Sequence, residues 1–402
     1  MTEGDHEIHD NSDFADVYET SAPNHRIPRK ATKEYYAWHH PRKQWVRVQQ
    51  WCSAVRSLLK DLGLGESTPF NYLTLPGNEL LDIRALHGVF EREKRKLRYL
   101  GFNAVGGNAD AQSELNLSRN EVSSLPWIHQ FSHVEEDRLE TIVNIKSPGH
   151  SRVLDVGQFH AINLDLCDSL VLREANDKNG SALGALQELI RLQVQNASPW
   201  LLFITTKVEP GLIADQVKQG FEEAISGNIN RSAEFATHFG AAVGITDGER
   251  PEAREQAWMT SGEALVRLFA TGLGKWLLQL LCTAKPPRRL SLLNACVYKS
   301  GHTTNMLSIA FRCDTPPIEV NDRYGIFEDG NRQAAVDANE TELGIELARV
   351  MRECVDLDAM LASDSEAAKE KLIDQAAKLM ANARHDPGAY IEWARQQIQS
   401  VA

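Results

Sequence analysis

Several things are scarce in this 402-residue chain, and each absence narrows the reading. No apolar run reaches the roughly 18–20 residues that span a bilayer. The richest stretch, Leu265 to Cys282, is interrupted by Arg267 and Lys275 and reads as a buried helix, so no membrane partner is expected. The six cysteines, Cys52, Cys167, Cys282, Cys296, Cys313 and Cys354, form no C-x-x-C pair. Most lie in apolar patterns, where a thiol acts as a small hydrophobe. A reduced, cytoplasmic compartment is the expectation. No Cys/His group has zinc-ligand spacing, and His129 and His133, four apart, lack the intervening Glu of a zinc protease, so no metal is expected. A phosphate-binding Walker sequence is missing, and neither Ser169 nor Ser300 has the setting of a hydrolase nucleophile. The acidic, polar start of the chain carries no secretory pattern.

Positive charge is also short. The formal net charge is −12, which counts against a stand-alone nucleic-acid binder. The balance is uneven, however. The first twenty residues hold seven acids and neither Lys nor Arg, whereas Asn24 to Arg47 holds seven basic residues and one acid. Within His25 to Trp51, basic groups alternate with Tyr35, Tyr36, Trp38, Trp45 and Trp51. Cations meet phosphates and rings stack on unpaired bases, so Arg42, Lys43, Trp45 and Arg47 are candidate substrate contacts to nucleic acid. The structural alternative is an arm docked on the chain's own acidic face.

Apolar residues make up 42% of the chain, enough for a real core. Residues 1–22 lack any period and read as a disordered tail. A helix is predicted from Gln44, with Val46, Trp51, Val55, Leu58 and Leu59 on one side, ending at Gly63. Strands and helices then alternate. Strands are expected at 70–75, 97–102, 153–156, 161–166 and 200–206. Helices are expected at 79–94, 120–143, 182–194 and 212–225, which implies parallel crossovers. Ser291 to Tyr298 and Asn305 to Cys313 are separated by six turn-like residues, too few for a crossover, so this pair is antiparallel. Two helical stretches, 340–360 and 365–400, close the chain.

A parallel sheet that ends in an antiparallel hairpin resembles the class I S-adenosylmethionine-dependent methyltransferases. The resemblance runs from Phe70 to Cys313 and rests on architecture and motif position. Three segments carry it. Phe70 to Glu79 is a strand and turn where the family has a glycine-rich loop against its cofactor. Here Gly77 alone remains, beside Pro76 and Asn78; a plain turn with Asn78 as helix cap is the alternative. Leu97 to Asn103 ends where the family has a ribose-binding acid, and this chain has Gly101 and Asn103. Ala161 to Leu170 matches the strand that delivers polar groups to the carboxyl edge, here Asn163, Asp165 and Asp168. The two prolines of the nucleic-acid amino-methyltransferases are missing from it.

The resemblance therefore implies an α/β fold. It is a Rossmann-like, mainly parallel sheet closed by a C-terminal antiparallel hairpin, with helical extensions at both ends. The expected segments are a tail at 1–22, a basic aromatic helical segment at 23–65, the methyltransferase-type domain at 66–315 and a helical extension at 316–402. It implies S-adenosylmethionine as cofactor, held by Pro76, Gly77, Asn78, Gly101 and Asn103. Asp165, Asp168 and Asn163 are then the catalytic candidates, and nucleic acid the first substrate to consider. The alternative is an inactive methyltransferase-like subunit that binds or assembles with a protein partner through its C-terminal helices. A nucleotide-sensing role in bacterial antiviral defence is a third reading.

Overall fold

Strand order explains where this protein can bind anything. A computed structural model describes residues 33–172, 180–245, 247–315 and 329–399, the stretch 329–338 by its backbone alone. The expected tail at 1–22 lies outside the described residues. Contacts divide the chain between Tyr35 and Tyr36, and all that follows belongs to the unit Tyr36–Ala402.

The sheet contains β1 (Phe70–Thr74), β2 (Leu97–Phe102), β3 (His133–Glu135), β4 (Ala161–Asp165), β5 (Trp200–Lys207), β6 (Arg289–Ser300), β7 (Thr303–Asp314) and β8 (Val355–Asp356). Their order is β3-β2-β1-β4-β5-β7-β6-β8. Neighbours from β3 to β5 pair in parallel, and β7 runs antiparallel to both β5 and β6. The short β8 pairs parallel with β6. The hairpin thus folds back so that its second strand is wedged between β5 and its first. Strand order reverses between β1 and β4, and open α/β sheets bind ligands at the carboxyl ends beside such a point.

Side chains alternate across each strand, so the sheet has two buried faces. One face carries Leu73, Ile162, Leu164, Leu202, Ile204 and Phe311 in the larger core. This face is covered by α6 (Ala182–Gln193) and by α10 (Glu263–Cys282). The α10 helix alone among the described residues is long and apolar enough to cross a membrane, but 78% of that window is buried inside the protein. Its Lys275 is fully buried in an ion pair with Glu340. The second face carries Phe70, Tyr72, Ala161, Phe203 and Ala310. Above it lie α1 (Pro41–Trp45), a π-helix (Val46–Cys52), α2 (Ser53–Leu62) and α3 (Leu81–Glu93). Trp51 from the π-helix and Phe203 from β5 meet there at 6.4 Å between ring centroids.

Several expected elements differ. Of the helix read at 120–143, only residues 120–123 are α-helical, as the end of a helix that starts earlier. That helix, α4 (Ala109–Ser123), ends before Pro126, Trp127 takes a left-handed φ of 69°, and the chain continues to the edge strand β3. Proline cannot supply the N–H that a helix interior needs, so Val134 belongs to a strand. His133 is therefore in β3 and His129 precedes it, not on one helix face. The strand read at 153–156 is the end of α5 (Pro148–Val156), started by Ser147 accepting from the His150 amide and by Pro148. Four residues are too few to separate a helix period from a strand. Asn78 is not the cap of α3, since Leu80 occupies that position. The last two stretches divide into α11 (Asp329–Arg352), α12 (Leu357–Ser363), α13 (Glu366–Asn382) and α14 (Pro387–Gln399).

Gly101 of β2 lies close under Pro76 of the β1 turn. A Cβ there would stand 2.8 Å from Pro76 Cγ and 3.2 Å from Val134 Cγ2. Gly101→Ala is expected to lower stability by about 1–3 kcal/mol through overpacking. Urea unfolding measures it; an unchanged midpoint would mean that the turn moves freely away from β2.

Candidate site at the carboxyl edge of the sheet

The turn from β1 to α3 is built to stay in place. At the end of β2, the Asn103 amide donates to the Pro76 carbonyl at 2.8 Å and to Asn78 Oδ1 at 3.1 Å. Leu80 has a left-handed φ of 53° and is fully buried. That backbone is unfavourable for a branched residue and persists because burial holds it. Gly77 has no neighbour within 4 Å of where a Cβ would stand. The backbone of the turn is thus open on that side.

Below the turn lies a chain of buried polar groups. Asp82, in the first turn of α3, accepts from Thr74 Oγ1 at 2.5 Å and from the Tyr72 hydroxyl at 3.1 Å. Asn163 of β4 donates to the same Tyr72 oxygen at 2.9 Å. Burial pushes the Asp82 carboxyl up, against the Thr74 hydrogen bond and with help from nearby Asp165. Burial also holds Tyr72 well above the usual phenol range.

The helical segment above supplies the cations. Lys43 ion-pairs with Asp165 at the end of β4, and its ammonium is 5.5 Å from the centroid of the Trp51 ring. Burial works against the Lys43 charge, but Asp165 and Tyr298 together outweigh it and the amine is held above its ordinary value. Arg47 donates to the Trp38 carbonyl at 2.9 Å. Burial lowers its pKa, against the attraction of Asp165 and Asp82. The π-helix widens the turn so that Val46, Arg47, Gln50 and Trp51 are all buried; such bulges gather at functional sites. Gln50 anchors the segment, accepting from Ser308 Oγ at 2.7 Å and donating to Asn294 at 2.7 Å.

This cluster is not fully matched within the protein. Buried atoms with no hydrogen-bond partner include Arg47 Nε, Asp82 Oδ1, Asn163 Oδ1, Gln44 Oε1 and the Tyr298 hydroxyl. An unmatched buried polar group costs about 1–3 kcal/mol. Other such atoms occur elsewhere, as at Asn71, Trp200 and Asn228, but these five share the carboxyl edge, where water or a ligand would match them.

Beside the cluster, Glu79 is held between two histidines. His39 Nε2 is 2.7 Å from one of its oxygens and His385 Nε2 is 2.6 Å from the other. These ligand-type atoms lie within 4.8 Å of one another. The hydrogen bonds do not suit a metal. His39 Nδ1 accepts the Tyr36 amide at 3.0 Å, which leaves the ring proton on Nε2, and a ligating nitrogen must be free of its proton. The trio clamps the β1 turn between the two ends of the unit.

Of the residues expected from sequence, Asn163 and Asp165 lie in the cluster, and Pro76, Gly77, Asn78, Gly101 and Asn103 converge at the turn. Asp168 stands apart; it is exposed and accepts from the Ser169 amide at 2.8 Å. The basic aromatic segment is folded against the sheet. Lys43 and Arg47 are turned inward at 7% and 3% exposure, because helical spacing puts them on the same side as Trp51. Arg42 pairs with Asp358 at 2.7 Å, and Trp45 is half-buried against the core. Tyr72, Thr74, Asp82, Glu79 and Tyr298 were missed. A signal existed for two of them: a polar residue at alternate positions of an otherwise apolar strand, Tyr72 and Thr74.

A family model described as PP_RS20740-like matches residues 32–395. No curated protein matches the chain.

Three histidines, two beside this site and His160 at the amino end of β4, give the protein a pH response. His39, His40 and His160 each accept a backbone amide at Nδ1, from Tyr36, Arg42 and Asn71, so each ring is neutral when folded. Burial pushes His40 down to about 3 and His160 to about 4, and lowers His39 against the pull of Glu79. A lowered folded value means that the unfolded chain binds more protons. Stability is then full above the unfolded histidine value and lost as pH falls through it. The loss should be on the order of 1 kcal/mol per histidine for each pH unit below about 6. Urea midpoints between pH 7.5 and 5.5 read this out, and a flat profile would contradict neutral rings.

Proposed function

This chain belongs to the PP_RS20740-like family, and we propose that it is a methyltransferase-like protein that binds S-adenosylmethionine at the carboxyl edge of β1 and β4. The observation that carries this reading is the set of buried, unmatched polar atoms beneath the N-terminal helices. They suit a ligand that is both acid and amine. Arg47 Nε faces a need for an acceptor, as a ligand carboxylate provides. Asp82 Oδ1 and Asn163 Oδ1 need donors, as a ligand ammonium provides. The wedge of β7 between β5 and β6 supports the same reading, since it is the hairpin arrangement of the methyltransferase resemblance. The open backbone of Gly77 leaves room for close approach.

When bound, S-adenosylmethionine would supply an electrophilic methyl group. The chain's own residues would position it and exclude water, which is where most of the barrier of a single displacement is lowered. Asp165 would be the carboxylate nearest the acceptor. Replacing Asp165 by Ala is a poor probe, since it leaves the Lys43 ammonium buried and unmatched, at about 3–5 kcal/mol.

A second reading is favoured by a different observation. The Asn103 amide, at the ribose position, is engaged by the turn itself, and Lys43 covers Asp165. A subunit that has given up catalysis and serves in assembly fits that geometry.

Isothermal titration with S-adenosylmethionine separates the two. Binding in the micromolar range is expected for the intact protein. Asn163→Leu keeps the shape and removes a half-matched amide. It is expected to change the stability of the ligand-free protein by less than about 1 kcal/mol, since the lost bond to Tyr72 offsets the removal of an unmatched oxygen, while weakening cofactor binding by about tenfold, or 1.4 kcal/mol. Absence of binding at millimolar cofactor would remove the methyltransferase reading in favour of assembly.

A further inference from the structure

The Lys43 ammonium is held in an unusual surrounding for a lysine. Its partner is the Asp165 carboxylate, one side is the face of Trp51 at 5.5 Å, and Tyr298 is among the groups that act on its charge. A second cation approaches the same Tyr298 ring, with the Arg42 guanidinium carbon 5.7 Å from its centroid. The Tyr298 hydroxyl is buried and has no hydrogen-bond partner. A carboxylate with aromatic faces is the chemistry that recognises organic cations, whose charge is spread over alkyl groups and poorly hydrated. Lysine is the less suited occupant, since its compact ammonium is strongly hydrated and wants three acceptors.

The seat is also reachable. The Asp165 side chain keeps 22% of its surface exposed, against 8% for Lys43. Solvent therefore meets the pair from the Asp165 side, where Cys167 is exposed. Lys43 belongs to α1, a helix of five residues, and its four-carbon stem can swing without moving the Gln50 anchor. Departure of the ammonium without replacement would strand a carboxylate. Departure in exchange for another cation would not.

We infer that Asp165, Trp51 and Tyr298 form a seat for an organic cation of the sulfonium or quaternary ammonium class, and that Lys43 is an internal occupant which such a ligand turns out into solvent. With respect to sulfonium the inference rests on the function proposed above; with respect to quaternary ammonium it stands alone. Lys43 then acts as a gate on the edge: a neutral ligand of similar shape leaves it in place, and a cationic one displaces it.

The test uses the intact wild-type chain. Buried Lys43 is expected to resist acylation by an amine-reactive ester in the ligand-free protein, and its labelling is followed by peptide mass spectrometry. S-adenosylmethionine and tetramethylammonium are each expected to raise labelling of Lys43 several-fold, while S-adenosylhomocysteine, whose sulfur is an uncharged thioether, leaves it protected. As a second measurement, Lys43→Met is expected to bind tetramethylammonium about tenfold more tightly than wild type, by titration, because the competing charge is gone. Near-UV circular dichroism checks that this variant folds; if it does not, the wild-type labelling decides alone. Binding of S-adenosylmethionine with Lys43 still protected would overturn the inference and leave the proposed function standing. Absence of S-adenosylmethionine binding would end the proposed function, and tetramethylammonium labelling would then decide: a rise supports the seat, no rise overturns it.

Discussion

The ion pair between Lys43 and Asp165 is the constraint on which the carboxyl edge depends. Two charges taken out of water must satisfy each other closely, since either alone would be expelled or neutralised. The N-terminal helical segment therefore cannot slide along the sheet. Gln50 adds a directional lock, because its amide must meet both Ser308 and Asn294. Trp51 and Val55 supply the apolar area that makes this docking favourable. Apolar burial here supplies adhesion, and the polar contacts supply register.

The same logic brings the far end of the chain to the β1 turn. Arg84 of α3 donates to the Glu79 carbonyl at 2.9 Å, to the Asn382 carbonyl at 2.7 Å, and to Glu121 at 2.6 Å. Arg384 joins Glu114 and Glu121 from the loop after α13. His385 and His39 then close on Glu79 from two directions, which holds the Glu79 carboxyl well below its usual range against the opposing effect of burial. The turn that would meet a ligand is thus positioned by residues distant in sequence. Arginine suits this task because its planar fork satisfies several oxygens at once.

Two opposed tendencies meet at this edge. The protein's own side chains occupy part of it, through Asn103 at the turn and Lys43 on Asp165. Other buried atoms around the same place are left unmatched. A purely structural core would resolve such conflicts by replacing polar groups with apolar ones, which is commonly neutral or stabilising. Their retention at this edge, beside the π-helix that delivers Arg47, is what the proposed binding role would explain.

Local patterns determined much of this protein. Short apolar runs marked β1, β2, β4 and β5 to within two residues at either end, and the short spacing before Asn305 determined the antiparallel hairpin, because a crossover has a minimum length. The apolar stripe through Val46, Trp51 and Val55 marked a helix, and Asn163 and Asp165 stood out as polar residues in a buried strand. Pro126 was the local signal against a helix at 120–143, and the four residues 153–156 were too short to carry a period. Only the tertiary structure decided the sheet order, the edge strand β3, the inward turn of Lys43 and Arg47, and the meeting of His39, Glu79 and His385. The reason is physical. A helix period reports which residues share a face, but the energy of burying a charge depends on the partner it finds, and Asp165 lies 122 residues beyond Lys43.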